Sequence, residues 1–232
     1  MIQHLVDPLR RSLLAGAAVF LPTLAVAARR VDADADPSPS APLLAMLWDE
    51  RIDPEPYLVS EKYDGVRAVW DGRLLRHRSG RTVSAPATFL RSLPDEAIDG
   101  ELWLGRGRFD ALSAIVRRHE PRPDEWAAVR YMAFEMPQAS GSFADRADRL
   151  AALLGQRPRS PVEAAPQRHV ANRDALMRLL GSVVAGGGEG LMLHLASSPA
   201  RSGRSADLLK LKPHLDAEAV VCWHPGTGRN RS

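Results

Sequence analysis

A single cysteine, Cys222, stands among the 232 residues. This excludes an internal disulfide and any metal cage built from thiolates, whatever the compartment. An excess of charge of one sign is also lacking. The 31 basic and 28 acidic side chains leave a net charge of +3, so total charge hardly argues for a polyanionic partner. No internal repeat is present. The one long apolar run, Ser12 to Leu24, is too short for a comfortable membrane span and contains Pro22. What remains is an ordinary globular composition, 45% hydrophobic and 25% charged, in a length that suits one good-sized domain or a domain with a small appendage.

The first 27 residues have the order of an export signal. Arg10-Arg11 precede the apolar run, which closes on Ala25-Val26-Ala27, and the paired arginines suggest the twin-arginine route. The expected location is therefore periplasmic, with no stable membrane association once the signal is removed; a misassigned start codon would leave the protein cytoplasmic. Residues 28–42, rich in Asp, Ala, Pro and Ser, read as a flexible linker.

From Leu58 onward strand-like runs alternate with amphipathic helices. Strands are predicted over Leu58–Glu61, Val66–Trp70, Arg73–Arg78, Ile98–Leu104, Val129–Met136, Gly190–His194 and Leu208–Lys212. Asp71-Gly72 signals a two-residue hairpin. Helices are predicted through Phe109–His119, Phe143–Leu154 and, capped by Asn172, Leu176–Val183, the last ended by Gly186-Gly187-Gly188. Hairpins in place of regular βαβ units predict an α+β domain over 43–215, with largely antiparallel sheets flanked by helices.

Five short segments carry chemistry. Lys62, at a strand end before Asp64 and Gly65, can project from a rigid edge into a cleft. As a nucleophile it must be neutral, whereas an ordinary lysine, with a pKa of about 10.4, is neutral only about once in a few thousand at pH 7. Nearby positive charge would favour the attacking amine. Strand alternation sends Lys210 and Lys212 to one face, where two ammonium groups can hold a triphosphate and stabilise charge on its α-phosphate. Glu101 and Glu189 sit in strand contexts that suit a ribose hydroxyl or a Mg²⁺ ion. Phe134 can stack on a base. Each feature alone also fits a bland reading: a hairpin-edge lysine, a solvated strand face, a strand-end charge, a core ring.

In order, these segments resemble the nucleotidyltransferase motifs of ATP-dependent DNA ligases. Lys62-Tyr63-Asp64-Gly65-Val66-Arg67 resembles the motif whose lysine takes the nucleotide. Arg78-Ser79-Gly80 is similar to the short basic motif at the nick, and Asp99-Gly100-Glu101-Leu102 to the segment that meets the ribose. Tyr131–Pro137 resembles the segment with the adenine-stacking ring, Phe134. Glu189-Gly190-Leu191-Met192 is similar to the metal-associated motif, and Lys210-Leu211-Lys212 to the paired lysines at the phosphate. Phrases such as Trp103-Leu104-Gly105-Arg106-Gly107 resemble the minimal bacterial ligases that carry an export signal. The resemblance implies an ATP-grasp-like nucleotidyltransferase fold and Lys62, Lys210 and Lys212 as catalytic. It implies nucleotide contacts from Arg67, Glu101, Phe134, Glu189, Lys210 and Lys212, metal at Glu189, and DNA contact at Arg78. It further implies ATP with Mg²⁺ (or Mn²⁺), nicked double-stranded DNA as partner, and a role in repair; a monomer is expected.

Three departures stand out. Glu135 occupies the place of an aspartate, a longer acid expected to shift metal or water contacts. Leu195 occupies the place of a basic residue. Residues 216–232 begin the transition toward an OB-fold domain and then run into a Gly/Arg/Pro-containing tail, which predicts a truncated ligase with impaired sealing. The rival readings are an RNA ligase or capping-type nucleotidyltransferase, and a non-catalytic nucleotide- or nick-binding remnant.

Overall fold

The computed structural model describes residues 42–157 and 159–213. The expected signal, the linker up to residue 41 and the tail from 216 lie outside these residues.

Alternating burial along the strands produces two five-stranded sheets among the described residues, each with one face committed to a core. The first sheet comprises β1 (Leu43–Leu47), β2 (Tyr57–Glu61), β8 (Arg168–His169), β9 (Leu191–Leu195) and β10 (Gly203–Leu211), in the order β1-β10-β9-β2-β8. Its Val59, Leu191, Leu193, Leu209 and Leu211 pack on Leu176, Leu180 and Val183 of α5 (Arg173–Ala185). Asn172 caps that helix by accepting from Ala175 N at 3.0 Å, as its sequence position predicts.

The second sheet comprises β3 (Val66–Trp70), β4 (Leu75–His77), β5 (Ile98–Trp103), β6 (Arg130–Glu135) and β7 (Val162–Ala164), in the order β4-β3-β5-β6-β7. Ala68, Trp70, Ile98, Leu102, Tyr131 and Ala133 face a core shared with Phe89 of α1 (Ala87–Leu90), Leu112 and Val116 of α2 (Phe109–Val116), and Trp126 of α3 (Pro123–Trp126). The buried Tyr131 hydroxyl, within bonding distance of the carbonyls of Ala68 (2.7 Å) and Ile98 (3.1 Å), is satisfied there. Each large apolar side chain buried this way contributes roughly 1.5–3 kcal/mol. Pairing is antiparallel except for β1 with β10 and β6 with β7.

Helix α4 (Phe143–Gly155) packs against both sheets. Its Leu150 and Leu154 enter the second sheet's core, while Phe143 and Ala147 pack on Leu58 of the first sheet. A reciprocal cap holds its start: Asp145 N donates to Ser142 Oγ at 3.2 Å, and Ser142 N donates to Asp145 Oδ2 at 2.9 Å.

The predicted two-residue hairpin is corrected. Trp70 pairs with Leu75, so residues 71–74 all belong to the turn. Asp71 Oδ1 accepts from Arg73 N (2.8 Å) and Leu74 N (2.7 Å), which stabilises the longer turn, and Gly72 supplies the positive φ of +96°. The helix from Phe109 also stops at Val116, leaving His119 in the loop beyond it.

Candidate active site

The faces turned away from the two cores carry the polar residues. In the first sheet Ser60 and Lys210 both pair with Met192, so all three share the face opposite Val59, Leu193 and Leu209. In the second sheet Arg67, Glu101 and Met132 are aligned across three strands, opposite Ala68, Leu102 and Ala133.

Lys62 lies just past the end of β2, and its N–H donates to Gly190 O at 2.9 Å, which continues the strand register. Its Nζ donates to Glu189 Oε2 at 2.5 Å. Lys212, just past β10, places Nζ 2.5 Å from the other oxygen, Oε1. Burial alone would raise the Glu189 pKa; bonds from Lys212 and Lys62, and their charges, hold its carboxyl below the ordinary value. Gly65 is required by close approach, not by a left-handed turn. A Cβ there would lie 2.1 Å from Leu102 O, so only glycine lets the loop after Lys62 lie on β5.

Arg67 forks Asp99, with Nε and Nη2 at 3.1 and 2.6 Å from its two oxygens, and donates through Nη1 to Leu43 O at 2.8 Å. The same guanidinium lies 5.3 Å from the Phe134 ring centroid. Phe134 is only partly buried between the buried Ala133 and Glu135, so it is a site-face ring and not a core one. Burial pushes the Glu101 carboxyl up to about 8, with Asp99 and Glu189 adding to the rise and Arg67 and Lys62 opposing it. Glu101 therefore keeps its proton at neutral pH and can donate a hydrogen bond.

Lys210 is partly buried on the site face and makes no ion pair among the described residues. Arg78 is exposed in the turn after β4, with no bond joining it to the Lys62–Glu189 group among the described residues.

Glu135 is engaged within the protein. Arg146, fully buried, forks it with Nε and Nη2 at 2.7 and 2.8 Å, and Met136 N donates to it at 2.8 Å. The Arg146 guanidinium also donates to Gly141 O (2.8 Å) and Ser198 O (3.1 Å). Beside it the His194 ring stacks on Phe143 at 3.6 Å, and burial, reinforced by Arg146 and Arg67, holds its pKa down at about 3. Neither Arg146 nor His194 was expected from the sequence. The signal for Arg146 lay in the α4 pattern: it falls on the same helical face as Phe143 and Leu150, where a charge demands a buried partner.

No group of three or more His, Cys, Asp or Glu side chains that could hold a metal occurs among the described residues, and both Glu189 oxygens face amines. A single carboxylate does not make a resident metal site without further oxygens from a substrate.

No protein-family model matches the chain. Over 176 residues it is 34% identical to a DNA ligase of Haemophilus influenzae, a match covering 75% of this chain and 65% of that protein. The chain thus spans just under two thirds of that relative's length. Among solved structures it is similar to a Lig E DNA ligase, described as binding DNA with a minimal scaffold, at 40% identity and a TM-score of 0.71; the match covers 75% of this chain and 69% of that one. It shares its fold with the Chlorella virus DNA ligase-adenylate, at 21% identity and a TM-score of 0.63, with the same two coverages, 75% and 69%.

Proposed function

The chain belongs to the DNA ligase family, and from that premise we propose that it is an ATP-dependent ligase core that carries AMP on Lys62. Lys62 Nζ attacks the α-phosphorus of Mg·ATP; an N–P bond forms and pyrophosphate leaves. AMP then passes to the 5′-phosphate at a nick in double-stranded DNA, and the 3′-hydroxyl displaces it, which serves repair. One observation carries this reading. Two lysines from different strands converge on Glu189, while Arg67, Glu101 and Phe134 share the site face of the second sheet.

Roles follow from chemistry. Glu189 is the acceptor at hand for the proton that Lys62 must lose before attack. Lys212 and Lys210 balance charge developing on the phosphates. Phe134 offers a ring to the base, and protonated Glu101 a donor to a ribose oxygen. Arg78, exposed in its turn, is placed for a DNA phosphate. Mg²⁺ (or Mn²⁺) enters as part of the nucleotide substrate, because such ions are commonly held by one or two carboxylates together with substrate phosphates. Glu189 is the carboxylate proposed to meet it. An exported location accompanies this reading, supported by the order of residues 1–27; a reporter fusion that stays in the cytoplasm would refute it.

The test is mass spectrometry of the protein after incubation with Mg·ATP. A gain of one AMP mapping to Lys62 is expected. Folded protein without an adduct would mark the chain as at most a nucleotide binder. An adduct formed from GTP in preference to ATP, or sealing of RNA nicks only, would move it to the capping or RNA-ligase branch.

A further inference from the structure

Arg106, in the Trp103–Gly107 phrase, has no role in the reading above, yet it bonds to the segments that carry Lys62 and Glu189. It lies between Gly105 (φ +117°) and Gly107 (φ +67°), whose left-handed conformations turn the chain back sharply after β5. From that turn its Nε and Nη2 donate to the two oxygens of Glu61 at 2.8 and 2.7 Å. Its Nη1 donates to Gly186 O at 3.0 Å. Glu61 immediately precedes Lys62, and Gly186 closes α5 three residues before Glu189.

Gly186, at the end of α5, leaves room for this guanidinium. A Cβ on Gly186 would lie 2.3 Å from Arg106 Nη1, whereas a Cβ on Gly188 would first meet Val183 Cγ1 at 2.5 Å. Stopping the helix does not account for Gly186, whose φ of −84° is a conformation any residue adopts. Tyr63 is held from the same side by an edge-to-face contact with Trp103, with ring centroids 5.2 Å apart.

We infer that Arg106 is a positioning residue which, lying against Gly186, fixes Lys62 through Glu61 and Glu189 through the α5 terminus. Its planar fork is suited to this, since it holds a carboxylate with two donors and keeps a third for a carbonyl. A lysine reaches the same place with a single point charge. Arg106 itself touches no reacting atom. The benefit falls on alignment at the moment of attack, which acts on the rate and not on nucleotide affinity. The inference rests on the adenylation reading proposed above.

The experiment measures Lys62–AMP formation against ATP concentration in the full chain, for wild type, Arg106→Ala, Arg106→Lys, Glu61→Gln, Gly186→Ala and the Arg106→Ala/Glu61→Gln double variant. Arg106→Ala is expected to lower the saturating rate about tenfold while the apparent KM for ATP moves less than about threefold. Arg106→Lys is expected between wild type and Arg106→Ala. Gly186→Ala, compatible with its backbone, is expected to slow the reaction in the same direction by displacing the guanidinium. The double variant is expected to be no slower than the worse single one, because both remove one contact. Saturating rates within twofold of wild type would overturn the inference. So would a loss carried wholly by KM, or effects that multiply in the double variant. Should Arg106→Ala fail to fold, the rates of Gly186→Ala and Arg106→Lys decide the question in its place. A wild-type chain that forms no adduct sinks the adenylation reading itself, whereas variants matching a competent wild type sink only the role of Arg106.

Discussion

Lys62 and Lys212 sit on opposite oxygens of Glu189, each Nζ 2.5 Å from its oxygen, although they arrive from β2 and β10 respectively. Two ammonium groups so placed would repel without the carboxylate between them. Glu189 therefore sets both the spacing of the amines and the charge at the point where a triphosphate would arrive.

Lys212→Ala is accordingly expected to slow Lys62–AMP formation at neutral pH by at least about tenfold, which corresponds to ~1.4 kcal/mol. Lys210→Ala, on the same face but without an ion pair, is expected to act on the phosphates alone and to slow it by a similar factor. Lys62→Ala is expected to give no adduct at all. Rapid-quench labelling with radioactive ATP reads all three. Near-normal rates in both Lys210→Ala and Lys212→Ala would defeat the phosphate role, and residual labelling in Lys62→Ala would place the nucleophile elsewhere.

Gly65→Ala adds a methyl group whose carbon would meet Leu102 O at 2.1 Å and Glu101 Cγ at 2.8 Å. The first of these is β5 backbone and cannot swing aside. A cost of roughly 1–3 kcal/mol in urea unfolding is expected, as for overpacking elsewhere. The loop bearing Lys62 must move with it, so the adduct rate is expected to fall as well. Wild-type stability together with wild-type rate in Gly65→Ala would show that the loop can lie off β5.

Arg146→Met leaves Glu135 buried without its partner, and a loss of about 3–5 kcal/mol is expected. The Glu135→Met/Arg146→Met double variant removes both charges together and is expected to be more stable than Arg146→Met alone. Chemical denaturation of the single and double variants checks this. A double variant no more stable than Arg146→Met would mean that the ion pair is not the source of the loss.

The sequence already pointed to most elements that position the site, because alternation and helical spacing are local. Val66–Trp70 matches its prediction at both ends, and α5 begins at the cap assigned to Asn172. The strands β1, β7 and β8 were not foreseen. They are short, and they exist because a distant strand offers its edge, as β10 does to β1. Within the site, Lys62, Lys212 and Glu189 were readable as a set, but not the bridge that joins them, since each alone suits a solvated strand end. The Glu135–Arg146 pair was hidden for a different reason. Its two charges lie on β6 and α4, and only packing of that helix against both sheets brings them together.

The carboxyl of Glu101 supplies a pH test. Its folded pKa, pushed up to about 8 from 4.5 chiefly by burial, means that the folded protein binds more protons than the unfolded chain between those values. The stability it contributes is fully present below 4.5 and is lost as pH rises through 8. Glu101→Gln keeps the shape and removes the titration, so its stability relative to wild type is expected to climb from pH 5 to about pH 8 and level off above it. His194 works in the opposite sense: held near 3 by burial, its contribution is lost as pH falls below 6.5. That effect is common to both proteins and cancels in the comparison. Parallel stability curves from pH 5 to pH 9 would show that Glu101 ionises in the folded protein as it does in water, and would remove the donor role assigned to it at the ribose.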